Sequence, residues 1–305
     1  MVLIFALSQP VWATTTLDAS YFIDSDLLEA PAGLRGDVVL ERLPEERQAF
    51  CARNEYDIAH GLNTSANGKI AFSNPDGPWV VLNKVLHRKI FNGGVCWWHT
   101  RFQRSAAYLV NFFPGRPRPL PGKARTLISQ IIAMKSVIEI PGFNNLSEFT
   151  QAYEKEISSA LSNWLLRDWA TGHGSGERPF DTSSLAPAEL RGAMDGLYER
   201  MLAQPQLIFL RIHSASVGVF DSHALLLTGI ELLGNPLMPP GPQGYRLSVI
   251  DSNTPGLVST VDYNFGDHNL NYCSGKCDAM IPRIDFDDDL AKIDGAVQKY
   301  CSANR

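Results

Sequence analysis

The composition of this chain changes near Gln204, and that change restricts the folds open to it more than any other feature. Before it, apolar residues recur at helical spacing: a helix is predicted from Pro44 to Ala59, another from Cys96 through Tyr108, and a third from Lys123 to about Val137. A fourth is predicted from an N-cap at Ser147 through Phe149, Tyr153, Ile157, Leu161 and Trp164 to about Trp169, and a fifth from Pro187 to Gln204. After it, the strand-like runs Leu207 to Val219, Ala224 to Leu233 and Tyr245 to Ile250 are separated by Gly/Pro turns such as Asn235-Pro236 and Pro239-Pro240-Gly241-Pro242, and a last helix runs from Leu290 to Tyr300. Such segregation predicts an α+β architecture: a helical lobe over 89–205 packed on an antiparallel sheet lobe over 206–305, with 14–88 as a lead-in. The cleft between the lobes is the expected ligand site. Pro114, Pro117, Pro119 and Pro121 are read as a stiff surface loop, and Pro141-Gly142-Phe143-Asn144-Asn145 as a turn.

At 305 residues, 45% hydrophobic and 19% charged, the chain can bury one large core or two lobes sharing a cleft. A net charge of −5 and a pI near 5.8, without a Lys/Arg run, give no electrostatic footprint for nucleic acid or anionic lipid. Residues 1–13 read as the apolar core and cleavage site of a secretory signal, Val11 and Ala13 suiting the positions before the cut, although no basic n-region precedes them. A buried N-terminal strand is the other reading. No later apolar run approaches the length of a membrane span, so membrane insertion is not expected.

The chemistry-bearing stretch is Asn92-Gly93-Gly94-Val95-Cys96-Trp97-Trp98-His99, where a glycine turn meets a helix start. A thiol is a useful nucleophile only as thiolate, and the first turn of a helix, with unpaired N–H groups and a positive dipole end, favours that anion. His223 follows Cys96 by 127 positions on a strand-like run, and Asp251 follows by a further 28 at the end of another. A cysteine at a helix start, then a histidine, then an acid or amide is the order of a thiol hydrolase triad. Asp251 is preferred to Asn253 as the orienting residue, because a carboxylate favours the imidazolium while Asn253 suits the Ser252-Asn253-Thr254-Pro255 turn. His213 competes formally with His223 as base. His99 points to another helix face, and His60 and His87 are read as surface or satisfied core histidines. Thr171-Gly172-His173-Gly174-Ser175-Gly176 lacks the lysine and preceding strand of a phosphate loop, and is read as a mobile loop. The acidic run Asp285-Phe286-Asp287-Asp288-Asp289 lacks EF-hand spacing and is read as helix N-capping.

Five cysteines, Cys51, Cys96, Cys273, Cys277 and Cys301, are an odd number. With Cys96 free, the other four can form two disulfides in any of three pairings in an oxidising compartment. Zinc on His268, Cys273, Cys277 and Cys301 is an alternative of unfamiliar spacing, and buried thiols are expected if the chain is cytosolic.

On Gly94, Cys96 and Trp97, on Ser222-His223-Ala224 and on Val249-Ile250-Asp251-Ser252-Asn253-Thr254-Pro255, the chain resembles divergent bacterial papain-like cysteine peptidases, over roughly 89–255. Gly93 and Val95 depart from that motif. The family also places a glutamine shortly before its nucleophile, and none lies between Gln48 and Cys96; Asn92 is the nearest amide for the oxyanion hole. The leader-like 1–13 predicts export to the periplasm or beyond, and the resemblance implies a papain-like fold. The resemblance also implies amide or peptide hydrolysis through Cys96, His223 and Asp251 on a peptide or protein substrate, with neither metal nor organic cofactor. A transglutaminase-like or amidase acyl transfer would use the same triad, and an inactive binding module of the same fold is the third expectation.

Overall fold

The computed structural model describes residues 43–74, 95–170, 186–214, 222–234, 241–273, 277–284 and 289–303. The leader-like segment 1–13, Asn92, His87, the glycine-rich loop 171–176 and Asp285 to Asp288 lie outside them. The described residues belong to one compact unit, Arg42–Arg305, of eight helices and eight strands.

The helical part comes first: α1 (Leu43–Ala52), α2 (Glu55–Thr64), α3 (Cys96–Leu109), α4 (Pro121–Ala133), α5 (Leu146–Ala152), α6 (Glu154–Ala170) and α7 (Pro187–Ala203). Two long helices expected from the sequence are divided. Asn54 ends the first, because its side chain accepts from the Asp57 amide at 2.8 Å and restarts the chain as α2. Asn145, not Ser147, caps the stretch that follows the turn, accepting from the Glu148 amide at 2.9 Å, and the run breaks at Tyr153 into α5 and α6. Pro121 lies at the start of α4, within its first two positions, rather than in a loop, since proline's missing N–H costs nothing there. A short parallel pair, β1 (Val110–Phe113) and β2 (Ile138–Pro141), follows α3 and α4 and was not anticipated.

The second half forms a closed barrel of six strands, antiparallel at every junction: β3 (Ile208–Ser214), β4 (Ser222–Leu233), β5 (Gly244–Asp251), β6 (Ser259–Asn264), β7 (Leu270–Cys273) and β8 (Cys277–Ile284), which returns to β3. The helix α8 (Asp289–Ser302) ends the chain. Alternation sorts the side chains. Leu210, Ile212, Leu225, Leu227, Leu247, Val249, Val261 and Tyr272 share one core with α7, whereas Phe209, Ala224, Leu226 and Ile250 join the helical core around α3. A bulge between Leu227 and Gly229 reverses the phase of β4, and α2 is anchored there, the Asn63 amide donating to the Thr228 carbonyl at 3.3 Å.

The barrel and helices meet on α3, which is buried along nearly its whole length. Trp97 packs edge-on against Phe209 at 4.1 Å, and the Arg211 guanidinium lies 5.1 Å from its ring. Arg101 and the 1%-exposed Arg104 also project from α3, and both pair with Asp289 of α8, at 2.5 and 3.6 Å. Asp289, the first residue of α8, is therefore a buried anchor for the two cations, and the rest of the acidic run lies outside the described residues. A disulfide between Cys51 and Cys301, with Cα atoms 5.6 Å apart, joins α1 to α8. It removes Cys301 from the proposed zinc set. Of the three pairings, only that joining Cys273 to Cys277 stays open; these are register partners on β7 and β8, with side chains outside the described ones. Among the described residues no helix is long and apolar enough to cross a membrane.

Candidate functional site

Cys96 is the first residue of α3, and the preceding Val95 supplies no side-chain cap. The first-turn N–H groups are therefore left without the polar partner that a serine or aspartate would bring. The helix is fixed against the barrel close to the point where β4 begins: the Thr100 hydroxyl donates to the Ala224 carbonyl at 3.2 Å, one residue from His223.

In the barrel, β4 and β5 run antiparallel with Leu225 opposite Asp251 and β3 beside β4 with Ile212 opposite His223. Residues two apart share a strand face, so His223 and Asp251 are diagonal neighbours on the inward face, at the barrel's mouth. Their side chains meet there: His223 Nε2 and Asp251 Oδ1 lie 2.5 Å apart, and Cys96 is near enough to the same imidazole to favour its charged form. The three residues expected from the sequence to act together are brought together. Asn253 is beside them. Its side-chain Nδ2 is 3.5 Å from His223 Nε2, but its backbone N–H donates to Asp251 Oδ1 at 2.8 Å, so it supports the acid through the turn. Asn92 lies outside the described residues. His213 occupies β3 opposite Ser222, with its side chain outside the described ones.

The charge states follow from the donors. Burial alone would raise the carboxyl of Asp251, which is 1% exposed; the bonds from His223, Tyr272 and the Asn253 N–H overcome it and hold the group below the ordinary carboxylate value. Burial likewise opposes a charged His223, but its bond to Asp251, the neighbouring Cys96 and the charges of both push the imidazole up to about 10. His99, one turn along α3, does the opposite. It is buried, accepts no carboxylate partner and donates from Nε2 to the Phe72 carbonyl at 3.3 Å; burial, with His223 nearby, lowers it to about 4. The surroundings of the two histidines thus drive them in opposite directions.

A crossing segment closes the side of the site. Ile70 donates to Gln103 Oε1 of α3 at 2.7 Å, and the Asn74 amide donates to the Ser252 carbonyl at 2.7 Å, which ties residues 70–74 to both the helix and the turn after β5. Lys69, 3% exposed, donates to the Gly256 carbonyl of the same turn at 3.3 Å.

Two participants escaped sequence reasoning. Tyr272 of β7 donates its hydroxyl to Asp251 Oδ2, and the Leu270/Tyr272 alternation was the only local sign that this run is a strand. Thr100 left no signal, since a threonine inside a helix reads as neutral. A cavity of about 380 Å³ lined by Arg104, Arg200, Gln206, Phe209 and Asp294 opens beside the middle of α3, and none of Cys96, His223 or Asp251 lines it. Among the described residues no group of three or more His, Cys, Asp or Glu side chains is placed to hold a metal ion. No family model, curated protein or solved structure matches this chain.

Proposed function

We propose that this chain is a cysteine hydrolase of papain-like architecture that cleaves amide or peptide bonds through Cys96, His223 and Asp251. The observation that carries the reading is the short contact between the part-buried His223 imidazole and the buried Asp251 carboxylate, with Cys96, the first residue of α3, acting on the same imidazole. With Nε2 of His223 committed to Asp251, Nδ1 is the nitrogen left to exchange a proton with Cys96. His223 takes the thiol proton; the sulfur attacks the carbonyl carbon; the oxyanion is held by the N–H groups of the first turn of α3, with Asn92 as a candidate second donor. The imidazolium then protonates the leaving amine, and water, deprotonated by His223, releases the acyl group from the thioester and restores the thiol. Asp251 keeps the ring oriented and favours its cationic form throughout.

A helix carrying the nucleophile against an antiparallel barrel carrying the base and acid is in keeping with the family resemblance, as is a peptide or protein substrate. The Cys51–Cys301 disulfide and the leader-like 1–13 together support action in an oxidising compartment, periplasmic or secreted.

The test is alkylation followed by product analysis. Iodoacetamide near neutral pH should modify Cys96 faster than a free thiol, and a folded Cys96→Ala variant should lose all hydrolysis of a casein panel. Turnover by Cys96→Ala would remove the reading. Transfer to an added amine in preference to water would redirect it to a transglutaminase-like reaction, and a reactive thiol with neither product would leave a binding module.

A further inference from the structure

We propose that Tyr272 is a positioning residue of this site, which acts through Asp251 by holding one carboxylate oxygen so that the other is presented to His223. The inference rests on the reading of Cys96, His223 and Asp251 as one reactive unit. The tyrosine is not on a strand adjacent to β5: β7 pairs with β6 and β8, so its hydroxyl reaches Asp251 Oδ2 across the interior of the barrel. The two oxygens of Asp251 are then divided. Oδ2 takes the phenol, and Oδ1 takes His223 Nε2 and the Asn253 N–H. Rotation of the carboxylate about its Cβ–Cγ bond would exchange the oxygens, and it would have to break the bond to the phenol, which is 6% exposed in the core. The rings of His223 and Tyr272 are 6.0 Å apart and tilted by 39°, so the phenol also walls the imidazole on the barrel side.

The same hydroxyl has an electrostatic role. The titratable groups facing Asp251 are His223 on β4 and Tyr272 on β7, with Cys96 and His99 of α3 acting on or through His223. Of these, Tyr272 donates to the carboxylate through a hydroxyl that takes no part in the proton exchange between Cys96 and His223. It stabilises the anion whatever the charge on the imidazole. Removing it leaves a buried oxyanion short of one donor, so Asp251 protonates at higher pH and His223 loses its orienting partner there.

The experiment reads the pH dependence of Cys96 alkylation by iodoacetamide, with the adduct mapped, and needs no substrate. Tyr272→Phe should move the acid limb of the profile upward by roughly half a unit to one unit, the size that one hydrogen bond to a charged group sustains. In an Asp251→Asn background the same change should have no further effect, because there is no anion left to support; a purely structural tyrosine would act equally in both. Placing 3-fluorotyrosine at position 272, a stronger donor of nearly the same shape, should move the limb downward and decides the matter if Tyr272→Phe does not fold. An acid limb within about 0.2 unit of wild type in a folded Tyr272→Phe, or an equal displacement in the Asp251→Asn background, overturns the assignment. A wild-type Cys96 that alkylates no faster than a free thiol removes the underlying reading and this one with it.

Discussion

A carboxylate as buried as Asp251 stays ionised only among donors, and it has three, from His223, Tyr272 and the Asn253 backbone. Asn253 contributes through its N–H, which any residue there supplies, while its exposed side chain stands 3.5 Å from the imidazole. Asp251→Ala should therefore lower kcat/KM by at least about 10²-fold, and Asn253→Ala by less than about tenfold, measured on whichever amide substrate the casein panel yields. A larger loss at Asn253 would transfer the orienting role to the amide. His99 carries a second prediction. Its folded value of about 4 lies below the ordinary 6.5, so the stability it contributes is present above pH 6.5 and is lost as pH falls towards 4, by roughly 3 kcal/mol in full. Urea titrations between these limits should show that loss in the wild type and a smaller one in His99→Gln. His223 has the opposite sign. Its raised value gives a contribution complete below pH 6.5 that disappears as pH rises through about 10.

At the scale of elements, α3 shows why a position in a helix is not the same as a role. Its 14 residues include two arginines that a helical-wheel reading would place in solvent, yet Arg104 is buried and Arg101 nearly so, and both are neutralised by Asp289 from α8. Breaking such a pair leaves a buried charge, so Asp289→Ala should cost about 3 kcal/mol by denaturant unfolding. Lys292→Met, which removes only an exposed partner of the same carboxylate, should cost less than about 0.5 kcal/mol. Helix existence was legible from periodicity here and in α4, α6 and α7. Their ends were not: Asn54 and Tyr153 divide runs whose apolar spacing continues beyond them, and Asn145 opens the second run where Ser147 was expected, because capping is settled by backbone geometry that an asparagine permits but does not require. The strands β1 and β2, four residues each, are stable only as a pair that forms across an intervening helix, so neither has a local signature.

For the whole molecule, closure is the dominant fact. The disulfide spans 250 positions and joins α1 to α8, which in turn holds α3 through Asp289. Cross-links across long loops restrict the unfolded chain most, and Cys51→Ser should lower stability by roughly 2–5 kcal/mol, with a matching loss on reducing the wild type. Reduction that leaves the midpoint unmoved would assign the bond no such role. What the sequence determined by itself is local: helical and strand periods, their order, the helix start at Cys96 and the inward alternation of Tyr245, Leu247, Val249 and Asp251. Each depends on residues a few positions apart, where spacing and side-chain type carry the information. What only the tertiary structure decided is non-local. The barrel closes because β8 returns to β3, Cys51 selects Cys301 and Tyr272 reaches Asp251, each through a contact whose partners are set by how strands twist and helices pack rather than by anything written beside them in the chain.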